Sequence, residues 1–299
     1  MTTLVDEYPS RVAPTPSVVP RHDPVLYGDG GTAAPGPLSP EQLAAFERDG
    51  FLVLDSVFSG GEMDACFREL ESISRDPARR ESPETIIEPE SDSVRSVFAV
   101  HRTSEVFADL AEDPRIADVA RQILGSEVYV HQSRVNLKPA MTGKEFFWHS
   151  DFETWHVEDG MPHMRAVSAS VAMTDNTEFN GPLMLVPGSH KWYVTTVGET
   201  PERHYETSLR RQEIGVPDIE SLRRLVDEGG IVAPKASRGS VILFDCNAMH
   251  ASGVNLSPYP RSNAFFVYNS VENQVVEPFG HIPPRPEHIA ARETITPLG

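Results

Sequence analysis

From Gly125 onward the chain is written in short β-type runs separated by turn residues: EVYVHQSRVNLKP (127–139), FFWHSDF (146–152), RAVSASVAMTD (165–175), GPLMLVPGSH (181–190), GSVILFDCNAMHASG (239–253) and RSNAFFVYNSV (261–271). Before that glycine the signals are mostly helical. In SPEQLAAFERDG, Ser39 is an N-cap, Pro40 takes the first helical position, Gln42 completes a capping box and Gly50 is the stop. Ser59 and Glu62 repeat the cap spacing for a second helix, and Asp113 with Pro114 opens a third that ends at Gly125. FLVLD (51–55) reads as a short strand between helices. Helices early and strands late, without alternation, favour α+β over a parallel α/β sheet: a β-sandwich or barrel flanked by N-terminal helices.

Residues 1–38 carry seven prolines and no sustained periodicity, so an extended or disordered arm is expected ahead of one domain spanning 39–299. The polar stretch 198–218 has the composition of a mobile loop over a site. No run approaches the roughly 18 uncharged apolar residues of a membrane-spanning helix, and the N-terminus lacks a basic-then-apolar signal pattern. Two cysteines, Cys66 and Cys246, make no disulfide framework and point to a reducing cytoplasm. A net charge of −18, with 44 acids against 26 bases, repels phosphate backbones, which argues against nucleic acid and for a small-molecule partner.

Chemistry concentrates in FFWHSDFETWH (146–156). His149 and Asp151 stand two apart in a run with strand character, which puts their side chains on one face, about 7 Å apart. His250 closes GSVILFDCNAMH about 100 residues later and supplies a third ligand if its strand pairs alongside. Two histidines and a carboxylate on one face of a metal leave the opposite positions open, the donor set of non-haem Fe(II) oxygenases. By spacing alone, capping or surface hydrogen bonding accounts for these residues equally well.

Arg261 adds a constraint that spacing lacks. A hairpin after His250 returns it toward the same cavity, where a buried guanidinium needs an anion. The distal carboxylate of 2-oxoglutarate, whose other end chelates iron, meets that need. Gln132, Arg134, Asn136 and Lys138 alternate along HQSRVNLKP and share one strand face, which is either solvated or the lining of a ligand cavity. His156, Glu153, His190 and Cys246 are expected to be structural: His156 lies off the ligand face, His190 belongs to a turn, and Cys246 is a small core residue.

Taken together, His149-Ser150-Asp151, His250, Arg261 and GPLMLVPGSHK (181–191) resemble the phytanoyl-CoA dioxygenase superfamily of Fe(II)/2-oxoglutarate oxygenases. Within it, FFWHSDFETWHVEDGMP (146–162) is similar to the signature of ectoine hydroxylases, and the similarity runs from about Ser39 through PPRPEHIAARE (283–293). The resemblance implies a double-stranded β-helix (cupin-like jelly roll) core, a homodimer, and O2-dependent conversion of ectoine to 5-hydroxyectoine with release of succinate and CO2. Carried over by position, His149, Asp151 and His250 would ligate Fe(II). Lys138, Ser252 and Arg261 would hold 2-oxoglutarate. Gln132, Trp155 and Phe265 would hold ectoine, whose cationic ring suits aromatic faces worth roughly 0.5 to 2 kcal/mol each. Plain core packing remains the competing reading of both aromatics.

In related halogenases a small residue replaces the carboxylate ligand, so Asp151 favours hydroxylation, and no catalytic group beyond the iron ligands is expected. Two other readings keep part of the pattern. A sister oxygenase acting on another small zwitterion would retain the three ligands and Arg261 without needing the Trp155 run. A non-redox cupin-like protein, either a zinc hydrolase or a binding module, would leave Arg261 and the polar strand without a shared purpose.

Overall fold

Both capping boxes form. Ser39 and Gln42 exchange side-chain and backbone hydrogen bonds to open the helix Pro40–Asp49, and Ser59 and Glu62 do the same for Gly60–Arg75. Asp113 caps Pro114–Leu124, which ends at Gly125 in the left-handed conformation. Gly50 ends the first helix at φ 79, and a Cβ there would meet the ring of His190, so this stop also seats the following strand against the turn at 188–191. These features belong to a computed structural model that describes residues 5–28, 33–88, 92–209, 212 and 214–299.

Twelve strands among the described residues follow in chain order: β1 (Val18–Pro20), β2 (Phe51–Leu54), β3 (Thr85–Ile87), β4 (Val94–Phe98), β5 (Val128–Lys138), β6 (Phe146–His149), β7 (Ala166–Ala172), β8 (Leu183–Leu185), β9 (Trp192–Val194), β10 (Val241–Asp245), β11 (His250–Ser252) and β12 (Arg261–Ser270). A seven-stranded antiparallel sheet runs β2-β10-β7-β12-β5-β4-β3, a three-stranded sheet runs β6-β11-β8, and β1 pairs with β9 in a separate ribbon. This is the jelly-roll arrangement, with helices on the outer face of the large sheet.

Alternation along β12 divides the two faces. Ala264, Phe266 and Tyr268 join the main core with Met63, Phe107, Ile116 and Ile123 from the helices. Phe265 points the other way and packs with Leu183 and Phe244 between the sheets. Burying each such large side chain contributes about 1.5 to 3 kcal/mol, so the helical layer holds one face of the large sheet and leaves the other to the site.

The proline-rich arm is not a disordered leader over residues 5–28. Tyr8 is buried, donates its hydroxyl hydrogen bond to Asp23 and sets its ring edge-on to Phe152 and Tyr193. Arg21 donates to Asp245 Oδ2 and to the Met164 carbonyl, each at 2.7 Å. Arg11, its side chain 3% exposed, donates two bonds to Glu153 at 3.0 and 2.7 Å, and from Nη1 bonds Glu158 at 2.7 Å and Thr200 Oγ1 at 2.8 Å. Prolines suppress hydrophobic periodicity without preventing docking, because these anchors are polar. In the stretch 198–218, Tyr205–Ser208 forms a single helical turn and His204 lies 3.1 Å from Glu158, while Arg210, Arg211 and Glu213 fall outside the described residues.

Arg11 therefore neutralises two buried carboxylates at once. Arg11→Ala is expected to lower stability by about 3 to 5 kcal/mol, because it leaves Glu153 and Glu158 buried without their cation. Arg11→Lys restores only part of that, since an ammonium cannot reproduce the guanidinium fork. Urea denaturation midpoints measure both, and an unchanged midpoint for Arg11→Ala would mean that the arm is not docked in solution.

Candidate metal centre

β6 ends at His149, and Asp151 opens a short helix, Asp151–Thr154, that continues as the π-helical turn Trp155–Asp159. The sequence-based expectation of a continuous strand through Asp151 is therefore corrected: a strand-to-helix corner, not strand alternation, brings the carboxylate beside the imidazole. Ser150 holds the corner in extended conformation, its hydroxyl donating to Asn247 Oδ1 at 2.9 Å, and the Phe152 N–H donates to the Cys246 carbonyl at 2.8 Å. Asn247 is itself fixed by donating to the His190 and Trp192 carbonyls; its N–H donates to Asp245, the carboxylate that Arg21 grips.

His250 lies directly opposite His149 in the antiparallel β6–β11 pair, with ring centroids 4.2 Å apart. The Nε2 atoms of His149 and His250 sit 3.6 and 3.8 Å from the two oxygens of Asp151. Each ring places Nδ1 against a backbone carbonyl, Phe147 at 2.7 Å and Ala248 at 2.9 Å. A carbonyl only accepts, so Nδ1 carries the proton and Nε2 keeps its lone pair for a metal. Burial and the neighbouring His149 push the His250 imidazole down to about 4, which keeps it neutral. Burial opposes ionisation of Asp151, but His250, His149 and Arg134 outweigh it and hold the carboxyl below the usual range. One atom from each of the three residues lies within 4.8 Å of the others, so two imidazole nitrogens and one carboxylate oxygen make a donor set suited to a divalent cation.

A cavity beside this cluster is walled by Arg134, Asn136, Arg261 and Phe265 from the large sheet and by Phe146, Leu183 and Ser252 from the small one. Arg261 is 4% exposed, and its Nε and Nη1 are buried without a hydrogen-bond partner. Burial pulls its guanidinium down to about 10. Lys138 stands opposite Arg261 in the β5–β12 register, and its Nζ donates to Ser252 Oγ at 2.8 Å and to the Gly253 carbonyl at 2.5 Å. Burial, then Arg261 and Arg95, push the Lys138 ammonium down to about 6. Lys138, Ser252 and Arg261 thus converge, and the unmet donors of Arg261 call for an anion.

The three residues expected at the substrate are placed differently from one another. Phe265 lies on the cavity wall with the Arg134 guanidinium 5.2 Å above its ring centroid. Gln132 accepts from Arg134 Nη1 at 2.7 Å and donates to the Ile289 carbonyl at 2.8 Å, so it orients Arg134. Trp155, 2% exposed, is not among the lining residues. Its ring lies in an aromatic and methionine cluster with Phe152, Met161 and Met164, edge-on to His131 at 5.5 Å. The turn into helix at Asp151 carries position 155 into this cluster.

Arg134 and Asn136 are lining residues visible in sequence only as part of the polar alternation; Phe146 carried no signal, because its place depends on pairing with Ser252. Glu153 accepts from Ser10, Arg11 and Thr196, His156 stacks on Phe279 and bonds Asp6, and His190 seats against Gly50, so all three make structural contacts.

The family model for phytanoyl-CoA dioxygenase matches residues 46–263. The chain is 56% identical to the ectoine dioxygenase of Bordetella bronchiseptica, covering 96% of this chain and 93% of that one, and 50% identical to the ectoine dioxygenase of Streptomyces coelicolor, covering 99% and 98%. Among solved structures, EctD from S. alaskensis with 2-oxoglutarate and 5-hydroxyectoine superposes with a TM-score of 0.86 at 47% identity, over 98% of this chain and 97% of that one. The carbocyclase SnoK, at 20% identity and a TM-score of 0.62, shares the fold. The chain belongs to the phytanoyl-CoA dioxygenase family, on its ectoine dioxygenase branch.

Proposed function

We propose that this chain hydroxylates ectoine to 5-hydroxyectoine, using Fe(II), 2-oxoglutarate and O2 and releasing succinate and CO2, a step of compatible-solute biosynthesis in the osmotic stress response. The observation that carries this reading is a buried arginine, Arg261, whose Nε and Nη1 meet no hydrogen-bond partner among the described residues, on the same cavity as a two-histidine, one-carboxylate cluster. A zinc hydrolase or a plain binding module would give Arg261 no purpose.

His149, Asp151 and His250 would hold the iron, which when bound supplies the dioxygen chemistry. Arg261 and Lys138 receive the distal carboxylate of 2-oxoglutarate, whose negative charge favours the protonated form of Lys138, and Lys138 Nζ also bonds the Ser252 hydroxyl. Gln132 and Phe265 contact ectoine, and Trp155 completes that side from the cluster behind Asp151. Arg134, held by Gln132 over Phe265, offers the guanidinium that a substrate carboxylate needs. The wall residues keep water from the reacting carbon. We assign residues 39–299 to one catalytic domain with the arm packed on it. Two buried free cysteines support a cytoplasmic location, and the family resemblance supports a homodimer.

Succinate release by the iron-loaded protein is expected to depend on ectoine and not on proline. Stimulation by proline alone would overturn the substrate, and stimulation by neither would overturn the reaction class. His149→Ala is expected to emerge from desalting without iron, whereas a normal iron content would remove His149 from the site. Lys138 adds a pH signature. Its ammonium falls from an ordinary value of 10.5 to about 6 in the folded chain, so between those limits the unfolded chain holds a proton that the folded one lacks. The stability of the parent relative to Lys138→Met should therefore rise from pH 7 to pH 10. A pH-independent difference in denaturation midpoint would show that Lys138 is charged in the folded chain.

A further inference from the structure

We infer that Arg95 is a further binding determinant for 2-oxoglutarate, aimed by a β-bulge into a cationic cavity that it shares with Lys138 and Arg261. The inference rests on the proposed function and extends it to a residue outside the expected ligand set. β3 pairs with β4 at Ile86 opposite Ser96 and next at Ile87 opposite Val94, so Arg95 is the extra residue of an irregular register. Such a bulge re-aims the side chain it carries.

The cavity has a volume of about 220 Å³ and is lined by Arg95, Lys138, Lys144 and Arg261, with Glu88 as the one carboxylate among its described lining residues. Asn136, Phe146 and Arg261 also line the space beside the metal cluster, so the two cavities adjoin at Arg261. Arg95 is 4% exposed and tightly held: Nη1 donates to Glu88 at 2.5 Å, Nη2 donates to the Glu145 carbonyl at 3.2 Å, and the guanidinium carbon lies 4.2 Å over the Phe146 ring. Its Nε is buried without a hydrogen-bond partner. Lys144 Nζ, 3.5 Å from Glu88, further offsets that carboxylate. The charge of Arg95 reaches the anion clamp, since it helps depress the Lys138 ammonium.

A dianion approaching Arg261 from this side meets net positive charge in a space largely shut off from water, where such charge raises local concentration and binding. Arg95 lines the cavity that holds neither His149 nor His250 and is not among the residues lining the space beside them, so its attraction is the same before and during the reaction. Uniform binding of this kind sets KM for the co-substrate and leaves kcat alone.

The test compares Arg95→Gln, Arg95→Lys and Arg261→Gln by steady-state kinetics and by anaerobic calorimetric titration of 2-oxoglutarate into the iron-loaded protein. Arg95→Gln is expected to raise both KM and Kd for 2-oxoglutarate on the order of tenfold. It should hold KM for ectoine and kcat at saturating co-substrate, and should weaken the dependence of the 2-oxoglutarate Kd on salt. Arg95→Lys, which keeps the charge, should recover most of the loss. If Arg95→Gln misfolds because Glu88 is left unpaired, Glu88→Gln, which removes the cavity's carboxylate and keeps Arg95, carries the converse prediction of a lowered Kd for 2-oxoglutarate. An unchanged Kd in Arg95→Gln, or in Glu88→Gln, beside a raised Kd in Arg261→Gln overturns the role of Arg95 alone. An unchanged Kd in Arg261→Gln overturns the 2-oxoglutarate reading itself.

Discussion

The site depends on one register, the pairing of β6 with β11 that sets His149 opposite His250. A slip of one residue would turn one imidazole to the other face of the small sheet and dissolve the donor set. The register is guarded on the far side of β11 by β8, where Leu185, Met184 and Leu183 oppose His250, Ala251 and Ser252. A second register, β5 against β12, puts Lys138 opposite Arg261. The two pairings fix the two ends of one cavity, the paired imidazoles on the small sheet and the Lys138–Arg261 cations on the large one.

Those ends are electrostatically expensive in the free chain. Lys138, Arg134 and Arg261 are all pulled below their ordinary values, and for each the first cause is burial. The surrounding acids are arranged in the opposite sense. In the run 151–159, Glu153 and Glu158 are gripped by Arg11 and Asp159 by Arg285, leaving Asp151 as the acid of that run without an arginine salt bridge among the described residues. The carboxylate left over is the one beside the two imidazoles. Arg11 from the arm and Arg285 from the C-terminal segment thus do more than hold the helix: by occupying its other acids they leave the Asp151 carboxylate to the two imidazoles.

What was legible in the sequence was local or carried by chemistry that survives without coordinates. The caps at Ser39, Ser59 and Asp113 lie within a few residues of their partners, and the polar alternation from Gln132 to Lys138 needs only strand parity. His149, Asp151, His250 and Arg261 were recognisable because an open metal face and an unpaired arginine pose complementary demands. The corner at Ser150 was not legible, since it is imposed by Asn247 almost a hundred residues away. The expectation for Trp155 came from the resemblance, and the same corner sets its ring in the cluster with Phe152, Met161 and Met164. Between an extended and a disordered arm composition could not choose, because it reports apolar pattern, whereas Arg11 and Arg21 dock through carboxylates whose partners only the fold reveals.

The overall charge sharpens the question of how a dianion reaches such a site. At −18 the exterior repels 2-oxoglutarate, yet at physiological ionic strength exposed charge is screened beyond about 8 Å. Charge inside a cavity is screened far less. The cations lining the space outside Arg261 therefore act over the last few ångströms, where the acidic surface no longer counts. An acidic shell around a cationic interior favours a small anion that can enter the cavity over polyanions that stay at the surface, and that selection is set by burial depth rather than by net charge.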